Sequence, residues 1–339
     1  MSATGAPLRV VAIGGGTGLS ALLHGLKRYA GSPVDNQDRM EITAVVTVTD
    51  DGGSSGRLRR DFDVLPPGDI RNCMVALSHD EALLSRLFQY RFESGRGLKG
   101  HSFGNLFLTA LTHITGDFAE AVKQSSEVMA SMGRIFPATK VSVALEAVLE
   151  DGTLVSGETR ISKSRSRIAR VRLLPRRCKP LPETLEAIAG ADLITLGPGS
   201  LFTSIIPNLL VSGIAGAIRK SPAVKACYVN LMWQPGETNE FRASDHLRVI
   251  QQHARGKLID YAVLNTGPIK ASVRKRYARE QAQPVENDVE RIAGMNIAVV
   301  EANLAAGSEK VRHDSEAIAG IALRLAREGR RRREENRIA

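Results

Sequence analysis

Three times along the chain an apolar run of strand length breaks on a glycine-rich turn and gives way to a helical pattern. That repeated sign constrains the fold more than anything else in the 339 residues. Residues 8–13 are apolar apart from Arg9, stop at Gly14-Gly15-Gly16-Thr17-Gly18, and lead to Leu19, Leu22, Leu23 and Leu26 at helical spacing. Residues 42–48 are rich in β-branched side chains and end at Asp50-Asp51-Gly52-Gly53-Ser54-Ser55-Gly56. Residues 191–196 run into Gly197-Pro198-Gly199-Ser200, ahead of a helix holding Ile205 and Leu209. The helix and loop between the first two strands have the length of a right-handed crossover, so those strands are expected to be parallel neighbours. Segments 226–231, 261–264 and 297–300 supply further apolar strands. Strands alternating with helices predict an α/β chain, a three-layer α/β/α Rossmann-like sandwich with a mainly parallel sheet.

Between the second and third signs the pattern is mostly helical, with helices expected over 69–79, 81–92, 103–114 and 117–132. Residues 141–149 alternate as a strand does, and Asp151-Gly152 is a hairpin signal leading to Leu154 and Val155. With the basic stretch up to Leu174, these strands are expected to form a small antiparallel lobe, approximately residues 135–180, within one domain spanning 8–328. A helix over 181–189 and a closing helix from Ser315 to about Glu328 complete the reading. Residues 329–339 read as a basic, flexible tail.

Composition narrows the function. Hydrophobic residues make up 43%, charged 24% and aromatic only 4%, as in a globular protein with an aliphatic core. Cys73, Cys178 and Cys227 are odd in number and widely spaced, which argues against a disulfide framework or a zinc site and for a reducing compartment. No run of about 18 apolar residues is long enough to insert in a membrane, and a cytoplasmic location is expected. The net charge of +10 is concentrated in 163–179 and 330–333 without interleaved aromatics, which disfavours nucleic acid as a partner.

In open parallel sheets ligands bind beyond the carboxyl ends of strands, where strand order reverses. A phosphate reaches backbone N–H groups of a turn only where no Cβ intervenes, so Gly14, Gly15, Gly16, Thr17 and Gly18 are candidate phosphate contacts. The spacing is too tight for the dinucleotide fingerprint, and a lone turn of this kind also serves plain strand–helix packing. Gly197, Pro198, Gly199 and Ser200 should share the same edge. Asp50 and Asp51, with Gly52 and Gly53, sit at a strand end. There a carboxylate accepts ribose hydroxyls, holds Mg²⁺ beside a diphosphate, acts as a base, or simply caps the next helix. Ser54 and Ser55 offer donors to a second anionic group. His101 lacks a visible partner and reads as structural, whereas Gly104 and Asn105 open a helix, and the Asn105 amide can read a base or sugar. Asn230 and the loop 233–238 should also reach the ligand edge. No catalytic triad or metal cluster follows from spacing, and no cofactor is required.

The stretches IGGGTGLSALLHGLK, VTVTDDGGSSGRLRRDFDVLPPGDIRN, LGPGSLFTSIIPNLLVSGI, NLMWQPGET and VRHD resemble the YvcK family (gluconeogenesis factor) of the CofD-like superfamily, over nearly the whole chain. The resemblance implies a Rossmann-like fold and binding of UDP-sugars such as UDP-N-acetylglucosamine. It also implies a role linking carbon metabolism on gluconeogenic substrates to cell-wall synthesis and cell shape, through a protein partner in precursor control. It adds Asn72 in the DIRN stretch, and matches Tyr277 and Arg312 to an aromatic and an arginine at the sugar nucleotide. Thr49, Trp233 and Ser315 depart from the family's expected Ala, Thr and Pro. The enzyme branch transfers 2-phospho-L-lactate with Mg²⁺ in making coenzyme F420, and its sequence differs after the acidic pair. That favours the regulatory branch without turnover. Oligomeric state, including a homo-oligomer, is left open.

Overall fold

The computed structural model describes residues 5–31, 39–79, 83–164, 166–307 and 310–338. The first half of the chain contains β1 (Leu8–Gly14), α1 (Gly16–Ala30), β2 (Met40–Val46), α2 (Gly53–Phe62), α3 (Gly68–Leu77), α4 (Leu84–Gln89), α5 (Phe103–Thr115) and α6 (Phe118–Val128). Next come β3 (Arg134–Pro137), β4 (Ala144–Leu149), β5 (Leu154–Ser156), α7 (Glu158–Ile161) and β6 (Ile168–Leu174). The second half runs α8 (Pro182–Gly190), β7 (Leu193–Leu196), a single π-helical turn at Leu201–Ile205, α9 (Ile206–Leu210), α10 (Ile214–Lys220) and β8 (Val224–Tyr228). It ends with α11 (Ala243–His253), β9 (Tyr261–Asn265), α12 (Ala271–Arg279), α13 (Val289–Gly294), β10 (Ala298–Ala302), β11 (Ala305–Ala306), β12 (Arg312–His313) and α14 (Ser315–Ile338).

Seven strands form one parallel sheet in the order β10-β9-β8-β7-β1-β2-β3. The expected α/β sandwich and the parallel β1–β2 pair are therefore found, with Leu8 opposite Met40 and Gly14 opposite Val46. Central strands read as unbroken apolar runs because helices cover both faces; in β7 all four residues are buried. Helix α1 packs between α3 and α14 on one face. The chain steps outward from β1 to β2 and β3, then crosses to the other side of β1 to begin again at β7. The order thus reverses between β1 and β7, and the loops leaving their carboxyl ends diverge to leave a crevice.

The small antiparallel sheet is present, in the order β5-β4-β6. Its boundary differs from the reading above, because Arg134–Pro137 is the edge strand of the main sheet, paired in parallel with β2. The run is four residues long and closes on Pro137, where an edge strand tolerates a missing N–H. The helix expected over 81–92 is shorter, Leu84–Gln89, and residues 81 and 82 lie outside those described.

The expected flexible tail is corrected outright: α14 continues through Ile338. Gly329 followed by arginines resembles a helix stop, but this glycine is a contact point, since a Cβ there would lie 1.8 Å from the Asp192 carbonyl oxygen. Just beyond it the Arg330 guanidinium donates to the fully buried Asp192 carboxylate, 3.0 Å from Nε to Oδ1 and 2.7 Å from Nη2 to Oδ2. The Arg9 N–H donates to the same Oδ2 at 2.8 Å, and Arg333 adds a second cation at 3.5 Å. Among the described residues no single helix is long and apolar enough to cross a membrane. The apolar pair Leu201–Leu210 and Ile214–Lys220 is bent by 80°.

Candidate nucleotide-sugar site at the strand-order reversal

The turns after β1 and β7 meet in the crevice. Gly18 admits no side chain, because a Cβ would lie 2.5 Å from the Pro198 carbonyl oxygen and 2.8 Å from the Gly199 nitrogen. Gly16 carries φ +64°, a conformation glycine adopts without strain. The two turns are thereby locked together, with the amino end of α1 opening into a cleft of ≈ 510 Å³. Its wall includes Gly15, Gly16, Thr17 and Gly18 from the first turn, and Gly199 and Ser200 from the third. Asn230 and the Trp233–Gln234–Pro235 loop come from the end of β8, and Tyr277 and Arg312 from the last third of the chain. Expected positions far apart in sequence are thus brought to one place. Gly14, Gly197 and Pro198 stand behind this surface; the Gly14 carbonyl accepts the Thr47 N–H and the Asn208 amide, both at 3.0 Å.

Hydrogen bonds fix the lining. Asn230 Nδ2 donates to Gln234 Oε1 at 2.8 Å, and Gln234 Nε2 donates to Ser200 Oγ at 2.6 Å, so the loop after β8 is tied to the third glycine turn. The Val311 N–H donates to the half-buried Tyr277 hydroxyl at 3.1 Å, which holds α12 against the segment carrying Arg312. Trp233 spends its indole N–H on the Phe241 carbonyl at 3.0 Å and leaves only ring surface to the cleft. His313 is half-buried, donates to the Val229 carbonyl, and is held down to about 4 by the protein around it, so it stays neutral.

The second acidic-glycine turn lies beside this cleft, and none of its residues lines it. Asp50 accepts the Gly52 N–H at 2.8 Å. Asp51 accepts both the N–H and the hydroxyl of Thr159, at 2.9 and 2.6 Å. It clasps α7 of the small lobe and does not cap α2. Ser54 meets His101 Nδ1 at 3.0 Å, and Asn105 donates to Ser55 Oγ at 3.4 Å. Asn72 Oδ1 accepts from Arg71, whose other arm donates to Ser102 Oγ at 2.7 Å. Gly53 and Gly104 belong to the helix starts of this neighbouring cluster. His101 is buried against Ser54; burial and then Arg57 hold its pKa below the usual histidine range.

Two carboxyl groups carry no site signal in the sequence, Asp69 and Glu158, and a third, Glu237, lies in the loop expected at the ligand edge. Asp69, in the first turn of α3, lies near the Gly16 N–H, and burial followed by the nearby Asp50 charge raises it to about 7. Glu158, the first residue of α7, and Glu237, on the loop after β8, both face the cleft. Burial and then Asp69 raise Glu158 to about 9, and burial raises Glu237 to about 7. Asp69 and Glu158 lie deep among protein atoms while keeping an edge to open space, so both burial and access are real. Asp69 reads as ordinary helix-start chemistry, and Glu158 sits in a segment that signals only a hairpin. The cue for Glu237 is its place in the loop after the strand ending at Asn230. A larger cavity of ≈ 800 Å³ sits on the sheet between α6 and α8, away from every glycine turn. There Glu41 already pairs with Arg9 at 3.6 Å and Arg134 at 2.5 Å.

This architecture has relatives. The model of the family described as 2-phospho-L-lactate transferase CofD matches residues 10–305. The gluconeogenesis factor of Halalkalibacterium halodurans is 50% identical, covering 86% of this chain and 88% of that protein. The gluconeogenesis factor of Bacillus subtilis is 46% identical over 94% of this chain and 98% of its own length. A crystal structure of a UPF0052 family protein from Bacillus halodurans superimposes with a TM-score of 0.88 at 46% identity, covering 93% of this chain and 98% of that one. The chain belongs to the CofD family and, within it, to the gluconeogenesis factor (YvcK) group.

Proposed function

We propose that the cleft binds a UDP-sugar of the UDP-N-acetylglucosamine kind. In this reading the protein is a regulator that couples carbon metabolism on gluconeogenic substrates to cell-wall synthesis and cell shape, through a protein partner in precursor control. The observation that carries the reading is the junction of the turns after β1 and β7. Backbone N–H groups at the amino end of α1 open there toward a cleft that also holds Tyr277 and Arg312. A diphosphate suits those donors, an aromatic ring suits a base, and the polar loop 230–237 suits a sugar. A ligand redistributes such a protein between states only by binding one of them more tightly, so the reading requires the cleft wall to differ with and without ligand. Titration calorimetry with UDP-N-acetylglucosamine is the test. Binding weakened about tenfold or more by Arg312→Ala is expected, as for loss of a charge-assisted contact. Unchanged affinity removes Arg312 from the site.

A second reading, transfer of 2-phospho-L-lactate, is supported by the description of the matching family model. Among the described residues no group of three or more His, Cys, Asp or Glu is placed to hold a metal. Asp50 beside Asp69 supplies two carboxylates, a set that fits Mg²⁺ carried in with a diphosphate. Mg²⁺ there would supply charge neutralisation at the diphosphate, while the turn amides orient it. Product formation with Mg²⁺ that Asp50→Asn abolishes would establish this reading over the first.

A further inference from the structure

The cleft wall carries two kinds of chemistry, one cationic or donating and one acidic. Turn amides and Arg312 suit an anion; Glu237 and Glu158, facing the same space, do not. Glu237 is 6% exposed, and its Oε1 accepts the Ser162 hydroxyl at 3.0 Å. Its Oε2 is buried and makes no well-formed hydrogen bond, although the Phe202 N–H and the Thr203 hydroxyl lie near the carboxylate and favour its charged form. The loop that carries it is held rigidly. The Gln234 carbonyl accepts the N–H groups of both Glu237 and Thr238 at 2.9 Å, and the Thr238 hydroxyl accepts the Gln234 N–H at 2.9 Å. Glu158 arrives from the other side on α7, whose place is set by the Asp51–Thr159 clasp. Among the described residues, neither acid has an ion pair. Glu158 is half-buried and receives only the Thr49 hydroxyl, at 3.5 Å, so both acids keep acceptor capacity that no cation fills, and a polyhydroxylated ligand supplies donors in numbers.

We infer that Glu237 and Glu158 are specificity-determining residues that read the hydroxyl groups of the sugar moiety, leaving the diphosphate to the glycine turns and Arg312. The inference rests on the nucleotide-sugar reading above. Burial agrees with it, because acids whose proton affinity is raised admit a neighbouring diphosphate with little repulsion.

Calorimetry of the full chain with two probes, UDP and UDP-N-acetylglucosamine, tests this on the wild type, Glu237→Leu and Glu158→Leu. Each variant is expected to keep UDP affinity within about twofold and to lose about tenfold or more for UDP-N-acetylglucosamine, the fold-change of a lost hydrogen bond to an acid. Equal losses for both probes would mean that the acids read the ribose. That outcome, or no loss at all, overturns the inference and leaves the nucleotide-sugar reading standing. A wild type that binds neither probe removes both. Should a leucine variant fail to fold, single-deoxy sugar analogues on the wild type decide instead. Removal of a hydroxyl is expected to weaken binding about fivefold or more, and analogues that all bind as tightly as the parent overturn the inference.

Discussion

At the amino end of β7, Asp192 is fully buried and saturated. It accepts the Arg9 N–H, takes Arg330 through both oxygens, and has Arg333 in reserve. At the carboxyl end of the neighbouring strand, Asp69 is also deeply placed, yet it has only an N–H of the first glycine turn nearby and forms no ion pair among the described residues. The difference teaches where this fold keeps its stability and where it keeps its function. The amino edge is closed by charge pairing that reaches across 138 positions of sequence. The carboxyl edge holds Asp69, Glu158 and Glu237 with raised proton affinity, an arrangement that costs stability and persists where a ligand is to be met.

The comparison can be broken by substitution. Arg330→Ala should cost the most, about 3 kcal/mol by urea unfolding at neutral pH, because a fully buried carboxylate loses its forked partner. A loss below about 1 kcal/mol would show that Arg333 suffices, and the amino edge would no longer stand out. Asp69→Asn should act in the opposite direction. With a native value of about 7 against an ordinary 3.8, the folded protein binds more protons than the unfolded chain between those limits, so stability falls as pH rises through that window. Asparagine removes the penalty and still offers an oxygen to Gly16. A gain of roughly 2 kcal/mol at pH 8, vanishing near pH 4, is expected; a gain independent of pH would contradict the assignment. The smallest change sharpens the contrast. Arg330→Lys keeps the charge, gives up the two-pronged contact and the donation to the Pro7 carbonyl, and should cost about 1 kcal/mol.

Much of the architecture was legible because it follows from burial. Strands β1, β2, β7, β8 and β9 announce themselves as apolar runs, since helices on both faces leave little room for polar alternation. The first and third glycine turns were legible for the same kind of reason, a backbone approach that forbids a Cβ. The second turn shows why glycine alone misleads. A Cβ on Gly56 would lie 1.9 Å from the Asp51 carbonyl oxygen, and one on Gly68 would lie 2.4 Å from Ser55 Oγ, so these glycines serve packing within the neighbouring cluster. Asp51, expected at the ligand edge, also clasps the small lobe through Thr159, a partner 108 positions away that no local pattern encodes. Glu158 was hidden for the converse reason, because its depth is created by that clasp. Gly329 and the arginines after it carry the local signature of a fraying end, and only the distant Asp192 makes them part of the body.

The Arg330–Asp192 contact also orders events during synthesis. On the ribosome Asp192 emerges long before its guanidinium partner, so the pairing that seals β7 beside β1 waits for 138 further residues. Domains generally mature as units during translation. Here the amino edge closes only once residue 330 has emerged, and a nascent chain released before then would carry the buried Asp192 carboxylate without its forked partner.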